Sequence, residues 1–302
     1  MADLRVSFCG IEFKNPILTA SGTFGFGREY AKYYDLSELG GVGPKGLTPV
    51  PRAGNPTPRA AETQSGMLNA IGLQNPGVDA FIRDELPFLR AFDTRVVANI
   101  SANTAEEYGE MAAKLSDAGV DIIEVNVSCP NVRAGGMQFG VTAEGISSVT
   151  ARAKQSSSVP IVVKLSPNVT DIAEMARAAE GAGADGLSLI NTLLGMRINV
   201  KTRRPALANV TGGLSGPAVF PVAVRMIWQA RSAVRLPIIG MGGVCSGEGA
   251  AELMLAGASL VAVGTASFID PMAPIKIRDG LGRYMDENGF ATPARLTGAV
   301  II

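Results

Sequence analysis

The chain of 302 residues contains no histidine. That absence removes the commonest general base, the Ser-His-Asp triad and most transition-metal sites together, so any acid–base chemistry falls to Cys, Lys, Asp, Glu or Tyr. Cysteine is scarce as well: Cys9, Cys129 and Cys245 are far apart and odd in number. This excludes a disulfide framework and a local four-thiolate zinc or iron–sulfur site, so no metal is expected. There is no excess of charge of either sign, with 27 basic and 27 acidic residues, and hence no field to gather nucleic acid or an anionic membrane. No apolar run approaches the roughly 20 residues of a membrane span, and the first ten residues have neither the basic nor the apolar region of a signal peptide. A cytoplasmic protein acting on a small molecule is expected.

What is present is a large apolar fraction, 47% against 18% charged, enough for one large core. Eight short β-rich runs recur at 16–20, 41–45, 95–100, 121–127, 160–165, 186–190, 237–240 and 259–263. Most are continuously apolar rather than alternating, which marks strands covered on both faces in a parallel sheet. Helical patterns at 104–119, 142–157, 171–183, 217–234 and 247–257 lie between them, several opening on a capping Thr or Asp and closing on Gly. Strand–helix alternation without a linker predicts an α/β fold, a single (β/α)8 TIM barrel over residues 1–302. The stretches 46–76 and 191–216 are too long and too rich in Pro, Gly and Asn for plain connections, and are expected to be binding loops or lids.

In such a barrel the active site gathers at the C-terminal ends of the strands. Here those ends are polar: Ser21, Lys45, Asn99, Asn126, Lys164, Asn191 and Thr192. One polar strand end is unremarkable, but so many directed at one mouth point to a planar, anionic, amide-rich ligand. The last two strands end in Gly242-Gly243 and Gly264-Thr265, where backbone N–H groups receive phosphate in this fold. A phosphate there, with amides and lysines across the mouth, suits FMN, a cofactor able to carry the chemistry of a histidine-free site. Two apparent GxGxxG matches are not dinucleotide fingerprints. Gly41, Gly43 and Gly46 run into Leu47-Thr48-Pro49, which cannot open a helix, while Gly181, Gly183 and Gly186 precede a strand. Cys9 and Cys245 are read as inert small hydrophobes.

Cys129 differs by context, lying past the fourth strand in Asn126-Val127-Ser128-Cys129-Pro130-Asn131-Val132. This segment, together with residues 15–25, 69–77, 164–168 and 211–216, resembles the dihydroorotate dehydrogenases over nearly the whole chain, and in particular their class 1B branch. The cysteine marks class 1, since membrane-associated class 2 enzymes carry Ser there. The resemblance implies oxidation of (S)-dihydroorotate to orotate in pyrimidine biosynthesis. It gives Cys129 as the base, with Lys45 and Lys164 also in the catalytic set. It places Lys45, Asn69, Ala70, Ile71, Gly72, Leu73, Asn126, Asn131, Asn191 and Thr192 around the substrate. One FMN per chain would be held by Ser21, Gly46, Asn99, Lys164, Ile190, Gly216, Gly242, Gly243, Gly264 and Thr265, with Lys45 and Asn126 reaching it too. Family members often carry a hydroxyl soon after the position of Lys45; here Gly46 and Leu47 intervene before Thr48, leaving Gly46 as a backbone donor only. The resemblance further implies a partner subunit carrying FAD and a [2Fe-2S] cluster, a homodimer within a heterotetramer, and NAD+ as final acceptor. Three alternatives stay open: a fumarate-using class 1A enzyme, a barrel lyase forming a Schiff base on Lys164 or Lys45, and a ligand-binding barrel without catalysis.

Overall fold

The computed structural model describes residues 2–127 and 139–302. Eight parallel strands close into a barrel: β1 (Ile17–Thr19), β2 (Gly41–Val42), β3 (Arg95–Ile100), β4 (Ile122–Asn126), β5 (Ile161–Lys164), β6 (Gly186–Leu189), β7 (Ile238–Met241) and β8 (Leu260–Val263). Each pairs with its neighbour in sequence, and β8 closes the ring on β1 through Val261 opposite Ile17. All eight fall inside the apolar runs expected to form them, apart from the final Met241 of β7. The expected single (β/α)8 barrel is the fold.

The expected helices form as well: α1 (Ala105–Asp117), α2 (Ala143–Ser156), α3 (Ile172–Gly181), α4 (Phe220–Ala233) and α5 (Gly247–Leu255), followed by α6 (Ala273–Glu287), which the periodicity did not single out. Their starts are set by side-chain caps that satisfy orphan N–H groups. Thr104 accepts from Glu107 N, Thr142 from Gly145 N, and Asp171 from Ala173 and Glu174 N.

Alternation along the strands divides the core. Residues such as Val96, Ala98, Ile123, Val125, Val163, Leu187 and Leu189 face the helices. Leu18, Val97, Ile122, Val162, Ile239 and Leu260 pack inside the barrel. The inner cluster is closed at its N-terminal end by a hairpin absent from the expected elements, Val6–Phe8 against Ile11–Phe13. Val6, Phe8 and Phe13 join that cluster, and the two-residue turn uses positive φ at Cys9 (50°) and Gly10 (78°), as a tight hairpin of the primed type requires.

The two long segments expected as loops differ most from expectation. They supply Ala60–Thr63, Gly66–Asn69, Leu193–Met196 and Thr211–Ser215, which pair antiparallel in the order 193–196, 211–215, 66–69, 60–63. Glycine here reflects close backbone approach rather than a turn: a Cβ on Gly66 would stand 2.1 Å from the carbonyl oxygen of Ser215, and one on Gly212 2.6 Å from that of Asn69. Composition concealed the strands because such contacts exclude the β-branched residues by which strands are recognised.

Helices α5 and α6 meet glycine to glycine. A Cβ on Gly247 would lie 2.2 Å from the carbonyl carbon of Gly280, whereas one on Gly280 would lie 3.0 Å from Cα of Gly247. Gly247→Ala should therefore destabilise the protein by about 1–3 kcal/mol, the usual cost of overpacking, and by more than Gly280→Ala. Thermal unfolding of both variants measures this, and a Gly247→Ala protein as stable as the parent would contradict the packing described.

Candidate active site at the barrel mouth

A cavity of about 500 Å³ opens at the C-terminal ends of the strands, within the range usual for cofactor and substrate sites. Every barrel strand contributes to its wall, directly or through the residues that follow it. Ala20 and Ser21 follow β1, Lys45 and Gly46 follow β2, Asn99 is the penultimate residue of β3, Asn126 ends β4 and Lys164 ends β5. Ile190, Asn191 and Thr192 follow β6, Met241 to Gly243 come from β7, and Ala262, Gly264 and Thr265 from β8. The antiparallel sheet forms the roof with Ala60, Met67, Asn69, Leu214 and Ser215, and Ile71, Gly72 and Leu73 complete it.

Two of the expected residues sit elsewhere. Ala70 is fully buried with Leu68 and Leu207, because alternation along 67–70 turns Met67 and Asn69 to the cavity and Leu68 and Ala70 to the far side of the roof. Gly216 lines a second cavity of about 320 Å³, which adjoins the first through Gly243 and Thr265 and also contains Cys245, Lys276 and Arg283. Cys129 and Asn131 lie outside the described residues.

The polar groups of the mouth are organised by their neighbours. Tyr108 on α1 donates to Asn126 O at 2.8 Å, and the Asn191 amide donates to Asn126 Oδ1 at 3.4 Å. Asn168, beyond β5, donates to Thr192 O at 3.0 Å and accepts from Leu194 N at 2.9 Å, tying the strand that enters the roof to the barrel rim. Thr265 donates to Ser215 Oγ at 2.8 Å, joining β8 to the roof. Asn99 Oδ1 is buried without a hydrogen-bond partner among the described residues. It points at the cavity wall, since a Cβ on Gly46 would stand 2.5 Å from it. A buried acceptor left open in this way costs about 1–3 kcal/mol until a ligand satisfies it.

Beneath the floor lies a residue that is not at a strand end. Glu124, in mid-β4, is buried; its Oε2 accepts from Asn99 Nδ2 at 2.5 Å and lies 3.6 Å from Lys164 Nζ. The signal in the sequence was a carboxylate inside an otherwise apolar strand, Ile122-Ile123-Glu124-Val125, where an ionisable group must be paired.

The two described cysteines differ from each other. Cys9 is half-buried and its thiol donates to Asp185 O at 3.2 Å; burial, and then the Asp185 carboxylate, push that thiol up to about 12. Cys245, expected as a buried hydrophobe, is instead exposed, because the chain leaves β7 there and runs over the surface to α5. Alkylation requires the thiolate, so iodoacetamide at pH 8 should modify Cys245 while leaving Cys9 untouched until the protein unfolds. Peptide mapping by mass spectrometry checks this, and early labelling of Cys9 would contradict its placement.

The dihydroorotate dehydrogenase family model matches residues 3–285. The chain is 55% identical over 300 residues, 99% of this chain and 98% of the other, to the dihydroorotate dehydrogenase B (NAD(+)) catalytic subunit of Geotalea uraniireducens (strain Rf4). To the protein of the same name from Alkaliphilus metalliredigens (strain QYMF) it is 53% identical, with 99% of each chain covered. Among solved structures, the dihydroorotate dehydrogenase of Eimeria tenella in complex with ferulenol shares the fold, with a TM-score of 0.83 at 20% identity over 98% of this chain and 88% of that one. With a barrel whose strand ends converge on one cavity, and with full-length relatives above half identity, the chain belongs to the dihydroorotate dehydrogenase family.

Proposed function

We propose that this chain oxidises (S)-dihydroorotate to orotate in pyrimidine biosynthesis, with FMN in the mouth cavity and electrons leaving through a partner subunit to NAD+. The observation that carries this reading is the convergence of two lysines and four asparagines on one cavity in a chain of this family. The near full-length similarity to proteins named as B (NAD(+)) catalytic subunits favours that branch over the fumarate-using alternative. Family membership leaves the Schiff-base lyase reading without support.

The residues present suit a flavin. The open Asn99 Oδ1 offers an acceptor to a ligand N–H, and Lys164 beside it offers a cation. Gly242 and Gly243, with φ of 121° and 81°, line the cavity with bare backbone. Gly243 and Thr265, shared by both cavities, and Gly216 and Gly264 nearby supply the phosphate side. Ser21, Gly46 and Ile190 complete the wall. Bound FMN supplies the acceptor for the hydride leaving C6 of the substrate.

The remaining work belongs to the chain. Lys45 provides a cation for the substrate carboxylate, and Asn69, Asn126 and Asn191 each present both donor and acceptor to the amide edges of the ring. Thr192 adds a hydroxyl, and Ile71, Gly72 and Leu73 exclude water from above. Ala70 acts behind them, by packing the roof. Cys129 removes the C5 proton as thiolate and Asn131 joins the substrate set, both assigned from the sequence segment they occupy. An ordinary thiol titrates near 8.5, so a neighbouring cation or a proton path is needed to supply the thiolate at neutral pH. Phe268 and Ile269, 53% and 80% exposed beside the cavity, form the apolar edge on which the subunit carrying FAD and [2Fe-2S] docks, in a heterotetramer built on a homodimer of this chain.

Purified protein should carry one FMN whose visible absorption bleaches when dihydroorotate is added without oxygen; a colourless protein filled with another ligand would sink the reading. Cys129→Ala should retain FMN yet slow this bleaching by about 10² to 10⁴, the usual worth of a general base, and an unchanged rate would move the base elsewhere. Dihydroorotate-dependent NADH formation should be negligible for the isolated chain and appear on adding the partner. Brisk NADH production by this polypeptide alone refutes the two-subunit arrangement.

A further inference from the structure

Inside the barrel, one layer above the apolar plug of Val97, Ile122, Val162 and Ile239, neighbouring strands place polar residues at successive inward positions: Asn99 on β3, Glu124 on β4 and Lys164 on β5. Asn99 stands opposite Glu124 in the register, and Glu124 opposite Val162, two residues before Lys164. All three are buried, yet only Asn99 and Lys164 reach the cavity; Glu124 lies behind them and is not part of its lining.

The chemistry of this arrangement is asymmetric. An asparagine amide can be turned by half a rotation, exchanging an acceptor for a donor pair. A carboxylate only accepts, so Glu124 Oε2, at 2.5 Å from Asn99 Nδ2, forces the NH2 inward and the oxygen toward Gly46 on the cavity wall. The same carboxylate oxygen lies 3.6 Å from Lys164 Nζ and holds that side chain against β4. The floor therefore presents a fixed acceptor next to a fixed cationic donor, the complement of a ring edge carrying N–H beside a carbonyl. A neutral residue at 124 would leave the amide free to turn and the ammonium uncompensated.

We propose that Glu124 is a positioning residue which, without touching the ligand, fixes the acceptor-outward orientation of Asn99 and neutralises part of the Lys164 charge beneath the flavin. The inference rests on the flavin reading of the cavity. Its consequences are separable: orientation of Asn99 governs affinity for the oxidised cofactor, and the buried negative charge governs how strongly the reduced, more anionic cofactor is favoured.

The test uses the full-length chain stripped of cofactor. FMN rebinding is followed by quenching of flavin fluorescence, and the midpoint potential of the loaded protein by equilibration with a reference dye. Glu124→Gln should weaken oxidised FMN binding about tenfold, the value of one buried charge-assisted hydrogen bond. It should also favour the reduced form by about tenfold, an upward shift of about 30 mV for a two-electron couple. In an Asn99→Ala background the affinity effect of Glu124→Gln should largely vanish, since the group it acts through is gone. Glu124→Asp, which keeps the charge and preserves folding if the glutamine variant does not, should hold the potential near the parent value while still losing affinity, because its shorter arm cannot reach Asn99. Additive affinity losses, an Asp variant that binds FMN like the parent, or a Gln variant with unchanged potential would each overturn the proposal. A parent chain that binds no FMN would instead remove the flavin reading itself, and this inference with it.

Discussion

Closing eight parallel strands into a ring forces every second side chain into a space with no solvent to receive it, and the rest of the molecule follows from how that space is filled. The lower part is filled with aliphatic residues and sealed by the hairpin that brings Phe8 and Phe13 against them. The upper part is filled with Asn99, Glu124 and Lys164, together with Ser188, whose alternation on β6 turns it inward too. Burying an ammonium and a carboxylate without a partner would be prohibitive, and even paired they cost about what an apolar replacement would save. Their presence at the boundary between plug and mouth is a functional expense, met by the mutual contacts of the three side chains.

That boundary explains the division of labour above it. The barrel provides rigid, converging strand ends, so the separation between Asn99, Asn126 and Lys164 is set by strand register rather than by flexible loops. The roof is of a different kind. Its four antiparallel strands come from two segments more than a hundred residues apart, joined edge to edge where Leu68 pairs with Leu214. It encloses the cavity by close backbone approach, which is why glycine recurs in it, and it is tied to the barrel through Asn168 and the Thr265–Ser215 contact. Shape at the mouth thus depends on a few hydrogen bonds between barrel rim and roof, while charge depends on the layer beneath.

Sequence by itself determined the class of fold, because strands covered on both faces need continuous apolar runs and helices between them need caps, and both signals are local. It also determined the chemistry: with no histidine, the polar strand ends Lys45, Asn99, Asn126 and Lys164 and the glycines after β7 and β8 were the groups left to build a site. Tertiary structure alone decided what depends on pairing between distant segments. It made strands of two glycine-rich stretches by bringing their backbones together, turned Ala70 away from the cavity while keeping Asn69 in it, and moved Gly216 to the adjoining pocket. It exposed Cys245, which no local pattern distinguished from a core cysteine. It also gave Glu124 its place behind Asn99 and Lys164, since a carboxylate within an apolar run declares that it has a partner but not which one. The partners are 25 and 40 residues away in the chain, and only closure of the ring brings them within reach.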